Sequence, residues 1–137
     1  MAKTFVGALC AVVLAAPGPL LAQPMYTMGN RPVMLTADPE GLDPCVYGMI
    51  YDPPTGPDAG AIMVFPGDST DLDAIDYLTH GDPVWICEVS DNMVGIVYTA
   101  DSDVDCELSS PLDQTRPYLG PCQSGWVMPQ WVEVVAG

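Results

Sequence analysis

The five cysteines are the residues in this sequence whose chemistry is easiest to predict, because they can form disulfides or bind a metal ion. Cys10 lies in an apolar N-terminal run, whereas Cys45, Cys87, Cys106 and Cys122 lie beyond it. No two of these four have Cys-x-x-Cys spacing and the chain has one histidine, so a zinc site is disfavoured. Four cysteines allow three disulfide pairings. We expect Cys106–Cys122, which closes a proline-rich loop, and by elimination Cys45–Cys87.

The N-terminal 22 residues have the features of a secretory signal peptide. Lys3 precedes an apolar run over residues 5–16, and small residues follow before Gln23. The run is shorter than the roughly 20 apolar residues of a membrane-spanning helix, and its order of features is typical of an export signal. We predict cleavage after Ala22, which removes Cys10. The remainder is expected to be periplasmic or secreted, without a membrane span, in a compartment where disulfides persist.

Strong acidity limits the classes of partner. The chain has 18 acidic and 3 basic residues and a net charge of −15. Such a surface repels phosphate backbones and anionic lipid, so nucleic acid and membrane surfaces are disfavoured as partners. Cationic partners and divalent ions are favoured instead.

Two acidic clusters raise the question of calcium. Asp101, Asp103 and Asp105 alternate like the first ligands of a calcium loop. However, Cys106 stands where such a loop has glycine, and Leu112 where it has glutamate. A second cluster consists of Asp68, Asp71, Asp73 and Asp76. Each cluster is either a solvated acidic loop or a Ca²⁺ site, and we assign no metal ligand.

An enzymatic function receives no support from the sequence. His80 lies in a Thr-His-Gly-Asp turn, and the sequence proposes no nucleophile or orienting partner for it. There is no Gly-x-Ser-x-Gly elbow, and we identify no motif for a cofactor. We therefore predict a non-enzymatic protein without catalytic residues or a cofactor.

Short apolar runs alternate with turns after residue 45, which predicts a mainly β fold. Glycine and proline together account for 28 of the 137 residues, which disfavours helices. Runs 84–89 and 93–98 flank Ser-Asp-Asn, a connection of the length that predicts a hairpin. The other runs are 46–51, 61–65, 75–78 and 131–135. Residues 23–44, rich in proline and glycine, are expected to form an irregular arm before a single domain of residues 45–137.

Three turn signatures resemble those of bacterial SH3-like (SH3b) domains. They are Phe65-Pro66-Gly67, Leu78-Thr79-His80-Gly81-Asp82-Pro83-Val84, and Gly125-Trp126-Val127, the last preceding a short helical turn and a final strand in that family. Val64-Phe65 stand where the family usually has arginine, and residues 101–122 form a long insertion. With its cysteines, this insertion is similar to a cysteine-containing subgroup of exported SH3-domain proteins. The resemblance covers residues 61–135 and implies a small SH3-like barrel with a disulfide-stapled insertion.

The resemblance also implies a function, namely binding through an aromatic groove. We predict a module that engages a peptide, a protein or a cell-wall component such as peptidoglycan, through Trp85, Tyr98 and Trp131. Trp126 is expected to be part of the core. Gly67 and Gly81 are expected to supply positive φ angles in turns. The alternative function is an acidic structural or Ca²⁺-binding envelope protein.

Overall fold

The computed structural model describes residues 29–51 and 60–136. The predicted signal peptide, residues 1–22, lies outside this part of the chain. The predicted all-β fold is confirmed, since the described residues form strands and one short 3₁₀ helix. The elements are β1 (Met34–Leu35), β2 (Val46–Ile50), β3 (Ala61–Val64), β4 (Asp76–Thr79), β5 (Pro83–Val89), β6 (Val94–Tyr98), β7 (Arg116–Pro117), β8 (Gln123–Val127), the helix η1 (Pro129–Trp131) and β9 (Val132–Ala136).

The strands form one main sheet and two small ones. The main antiparallel sheet has the order β8-β6-β5-β2-β9, while β1 pairs with β7 and β3 with β4. These sheets do not close into the expected barrel, which would need a ladder continuous around all strands. At one edge, the described backbone pairing of β8 beyond β6 is limited to the isolated bridge between Trp126 and Phe65, the residue after β3. At the other edge, no described strand pairs with the outer side of β9.

The predicted hairpin is confirmed as β5 and β6, which form an antiparallel ladder. In its turn, the Ser90 N–H donates to the Met93 carbonyl at 2.9 Å, and the Met93 N–H donates to Ser90 Oγ at 3.1 Å. A register shift between Ile86 and Glu88 marks a bulge in β5, which bends that strand. All residues of β6 are buried, because β6 lies inside the sheet and both of its faces are covered.

Successive residues of the main sheet point to opposite faces and supply two apolar clusters. Val97 and Ile96, neighbours in β6, belong to different clusters. The first cluster contains Val33, Leu35, Phe65, Cys87, Met93, Val97, Cys106, Leu108, Tyr118 and Trp126. The second contains Ile50, Ile62, Val64, Leu78, Val84, Val94, Ile96, Tyr98 and Val127. The first cluster therefore joins the sheet to the arm and the insertion, and the second joins it to the β3–β4 hairpin.

The described part of the arm, residues 29–44, packs into the first cluster. It is irregular apart from β1, which pairs with β7. Val33 and Leu35 are only 1% and 2% exposed, and the Val33 carbonyl accepts a hydrogen bond from the Tyr118 N–H at 2.8 Å. This part of the arm and the strands that follow thus form one packed unit.

Arg31 fixes the start of the described arm. Its guanidinium forms ion pairs with Asp68 and Glu88 and lies 4.5 Å from the centroid of the Trp126 ring. Its carbonyl accepts a hydrogen bond from Trp126 Nε1 at 2.8 Å, and its N–H donates to the Pro66 carbonyl at 2.9 Å. One residue therefore connects the arm, the β3–β4 region and two strands of the main sheet.

Both predicted disulfides are confirmed. Cys45 and Cys87 join the start of β2 to β5 with their Cα atoms 4.1 Å apart. Cys106–Cys122 closes the insertion between β6 and β8. Inside that loop, Tyr118 Oη donates to the Cys106 carbonyl at 3.0 Å and accepts from the Cys122 N–H at 3.2 Å. The insertion is thus held by a covalent bond and by a buried tyrosine.

The signature glycines serve two different purposes. Gly81 has a φ of +87°, as predicted, and stands in the turn between β4 and β5. Gly67 is not among the positive-φ glycines, so that prediction is wrong. A Cβ at Gly67 would lie 2.1 Å from the Gly29 carbonyl oxygen, and glycine is needed there because two backbone segments approach closely.

Candidate functional site

An exposed aromatic pair marks the candidate site, on the face of the main sheet that carries the first cluster. Tyr47 of β2 and Trp85 of β5 are opposite each other in the ladder. Their rings meet edge to face, with centroids 5.9 Å apart and planes at 71°, which is a favourable aromatic geometry. Tyr47 is 38% exposed and Trp85 is half-buried. Both rings therefore keep surface that a partner can contact.

The pair lies in a groove with a volume of about 420 Å³, which we call the aromatic groove. Three separate parts of the chain line it besides β2 and β5: the segment before β2, the insertion, and the end of β9. Its lining residues are Leu42, Asp43, Cys45, Val46, Tyr47, Trp85, Leu108, Ser109 and Ala136. The groove is thus mainly apolar and aromatic, and among its described lining residues Asp43 alone is charged.

The two disulfides stabilise the walls of the aromatic groove. Cys45 lines the groove and its bond to Cys87 lies two residues from the Tyr47–Trp85 pair on each strand. Cys106 begins the stapled part of the insertion, two residues before Leu108, which is 4% exposed and lines the groove. Cross-linked walls lose little conformational entropy on binding, so the groove is preorganised for a ligand.

The residues of the aromatic groove are suited to binding a ligand through non-covalent contacts. Aromatic faces attract apolar groups and, through their quadrupole, cations such as lysine and arginine side chains. Asp43 adds a negative charge at the rim. Among the described residues that line the groove there is no histidine, and the cysteine is in a disulfide.

The three predicted binding residues do not share one surface. Trp85 faces the aromatic groove. Tyr98 is 4% exposed and belongs to the second cluster, on the opposite face of the sheet. Trp131 of η1 is half-buried against that second cluster and lines a pocket of about 100 Å³ with Met63, Phe65 and others. Trp85 instead shares its face of the sheet with Tyr47. Tyr47 was not singled out in the sequence analysis.

Tyr98 has a structural partner within the protein. Its hydroxyl donates to Asp76 Oδ2 at 3.0 Å, while Asp76 Oδ1 accepts from the Tyr77 N–H at 2.8 Å. Burial raises the pKa of the Tyr98 hydroxyl above its ordinary value, and the hydrogen bond to Asp76 and the charge of Asp76 raise it further. Burial also raises the pKa of Tyr118. Both tyrosines are thus held in their neutral form.

We expect the free energy of unfolding to fall as the pH rises above about 10, the ordinary pKa of tyrosine. The unfolded chain releases the Tyr98 proton there while the folded chain retains it, so this stabilisation is complete below pH 10 and is lost above it. Urea unfolding between about pH 8 and pH 11 measures the effect. Tyr98→Phe should reduce the alkaline loss, leaving the part due to Tyr118. An unchanged loss in Tyr98→Phe would contradict the assignment.

The acidic clusters have roles in local structure. Asp101 Oδ1 accepts from the Asp103 N–H at 3.0 Å, and Asp105 Oδ1 accepts from the Glu107 N–H at 2.8 Å. These are side-chain turns that shape the insertion. In the second cluster, Asp68 pairs with Arg31. Within residues 29–51 and 60–136, no group of three histidine, cysteine or acidic residues is placed to hold a metal ion.

His80 is exposed in the turn between β4 and β5. Its ring centroid lies 5.6 Å from that of Tyr51, with the planes tilted by 52°. It does not line the aromatic groove. The exposed turn position agrees with the sequence-based interpretation of this residue.

Comparisons with known proteins give no relative from which a function could be transferred, so the functional assignment is based on the structure. No protein-family model, no curated protein and no solved structure matches the chain. In the described ranges, no helix has both the length and the apolar character needed to cross a membrane.

Proposed function

We propose that this chain is a non-enzymatic, exported binding module of SH3-like type, and that its aromatic groove binds an extended, positively charged segment of a partner protein. The observation that carries the proposal is the exposed Tyr47–Trp85 pair in a groove of about 420 Å³. Exposed aromatic anchors in a preorganised groove are typical of peptide recognition.

Charge supports a cationic ligand. The net charge of −15 attracts basic segments and accelerates their association. Lysine and arginine side chains can also place their cations over the Tyr47 and Trp85 rings. A cell-wall polymer rich in carboxylates would meet repulsion from the same surface. We therefore favour a basic protein segment over peptidoglycan, which serves as an alternative outcome of the test.

Export is supported by the N-terminal pattern of residues 1–22 and by the two disulfides, since disulfides are rare in reducing compartments. The SH3-like assignment is supported by the turn signatures at residues 65–67, 78–84 and 125–127 and by η1 and β9, which follow the last of them. These features favour a periplasmic or secreted module.

Calorimetric titration with a synthetic peptide of alternating lysine and valine tests the proposal. We expect Tyr47→Ala and Trp85→Ala each to weaken binding at least tenfold, which is about 1.4 kcal/mol, because truncating an aromatic anchor removes buried contact area. Tyr77→Ala is the matched control, since Tyr77 is an aromatic residue of another strand that is 60% exposed and lies outside the groove.

The proposal fails if Tyr47→Ala and Tyr77→Ala have the same affinity for the peptide. It also fails if the protein co-sediments with purified peptidoglycan and shows no binding to the peptide. That result would identify the cell wall as the partner of the module. Thermal unfolding of each variant, measured in parallel, separates lost contacts from lost folding.

A further inference from the structure

The main sheet has two edges that differ in how they are covered. At the β8 edge, Phe65 and Trp126 exchange hydrogen bonds of 2.8 and 2.9 Å between their backbone groups. At the β9 edge, none of the strands formed by residues 29–51 and 60–136 pairs with the outer side of β9. A strand in that position presents a row of backbone donors and acceptors that another chain can pair with.

The exposed edge of β9 has few of the features that prevent pairing. Natural proteins protect edge strands with lysine, proline, inward charges or bulges. β9 has neither lysine nor proline and reads Val-Glu-Val-Val-Ala. Val134 and Val135 are 58% and 50% exposed. A register shift opposite Tyr47 and Gly48 and the charge of Glu133 are the only such features, so the first residues of β9 remain open to a partner strand.

The edge is continuous with the aromatic groove. Ala136 at the end of β9 lines that groove and is opposite Tyr47 in the β2–β9 ladder. An extended segment paired with β9 therefore meets the aromatic groove at Ala136, where its end crosses over that small residue towards the Tyr47–Trp85 pair. Main-chain pairing supplies affinity in this mode of binding, and alternate side chains supply specificity.

Charge identifies the kind of occupant. Within the described residues, Arg31 and Arg116 are the only cations, and the guanidinium of Arg31 is paired with Asp68 and Glu88. A second copy of this chain would bring the same net charge of −15 to the interface and be repelled. A basic segment with valine-like residues at alternate positions fits both the charge and the pleat of a strand.

We propose that β9 binds such a basic segment as an additional strand of the main sheet, with one end of the segment in the aromatic groove. This inference rests on the proposed function, because it names the binding mode of the same ligand. It predicts that the N–H groups of alternate peptide residues donate to β9 while the intervening ones face away.

Backbone methylation of the lysine–valine peptide tests this prediction. Two peptides of the same sequence carry N-methyl groups at the odd or at the even positions, which removes the donors on one edge and leaves all side chains unchanged. We expect one of them to lose at least tenfold in affinity and the other to lose much less. Hydrogen exchange of the β9 amides should slow when the unmethylated peptide is added.

A protein variant locates the docking strand. Val134→Lys places a charge on β9, whose outer side pairs with no described strand, whereas Val89→Lys changes the net charge equally at a residue of β5 that is 73% exposed. We expect Val134→Lys to weaken peptide binding several-fold more than Val89→Lys. Equal effects of the two variants would overturn the placement at β9.

The outcomes separate the binding mode from the proposed function. If both methylated peptides bind as tightly as the parent while Trp85→Ala still weakens binding, the aromatic groove stands and strand addition at β9 is overturned. If the protein alone forms dimers that Val134→Lys dissociates, a second copy occupies the edge and our assignment of a basic occupant is wrong. A peptide that does not bind at millimolar concentration overturns both proposals.

Discussion

Replacing Cys45 and Cys87 together by alanine should lower the free energy of unfolding by about 4 kcal/mol, and replacing Cys106 and Cys122 together should lower it by about 3 kcal/mol. The first disulfide spans 42 residues of sequence and the second spans 16. In the chain-entropy account, the longer loop restricts the unfolded chain more. Urea unfolding of the two double variants, under conditions where the remaining disulfide is intact, measures both losses.

The two variants should also differ in where the structure loosens. Cys45 lines the aromatic groove beside the Tyr47–Trp85 pair, so its loss should weaken peptide binding as well as stability. Loss of Cys106–Cys122 should mainly speed hydrogen exchange in the insertion. A loss below about 1 kcal/mol for the 45–87 pair, or a larger loss for the 106–122 pair, would contradict the loop-length argument.

The sequence was sufficient to predict the fold class and the strands that have a clear pattern. Runs 46–51, 61–65 and 84–89 correspond to β2, β3 and β5, because β-branched and apolar residues between turns make strands recognisable. β1 and β7 have two residues each and no periodicity to detect. β8 reads Gln-Ser-Gly-Trp-Val, and its place in the sheet is decided by tertiary contacts of Gly125 and Trp126.

Of the exposed aromatic pair in the groove, the sequence was sufficient to predict Trp85 but not Tyr47. Because side chains alternate along a strand, Trp85 must point to the opposite face of β5 from Val84 and Ile86. Tyr47 was missed, although the disulfide pairing contained the signal: if Cys45 is opposite Cys87 in antiparallel strands, counting two residues along each strand sets Tyr47 opposite Trp85. The predicted grouping with Tyr98 and Trp131 needed a register and a sheet face, neither of which composition supplies.

The sequence likewise could not show whether the sheet closes into a barrel. The turn signatures implied a barrel, but closure depends on whether the last strand finds a partner across the fold. β9 pairs with β2, and its other side meets no described strand. Nothing in the pattern of residues 132–136 distinguishes an edge strand from an interior one, apart from the single charge of Glu133.

Replacing Trp126 by alanine should lower the free energy of unfolding by about 4 kcal/mol, which is typical of a fully buried tryptophan. Trp126 is 0% exposed, so truncation leaves a cavity. It also removes the donor to the Arg31 carbonyl and the ring that lies 4.5 Å from the Arg31 guanidinium. Urea unfolding measures the loss, and faster hydrogen exchange of the β1 amides reports release of the arm.

Two further variants separate the contributions of Trp126. Trp126→Phe keeps most of the apolar ring but leaves the Arg31 carbonyl without its indole donor, so we expect a loss of about 1–2 kcal/mol. Trp131→Ala is the control, because Trp131 is half-buried and packs against the other cluster. It should cost less than Trp126→Ala and leave exchange in β1 unchanged. If both alanine variants loosen β1 equally, Trp126 does not join the arm to the sheet, and the arm is held instead by the ion pairs of Arg31 and the packing of Val33 and Leu35.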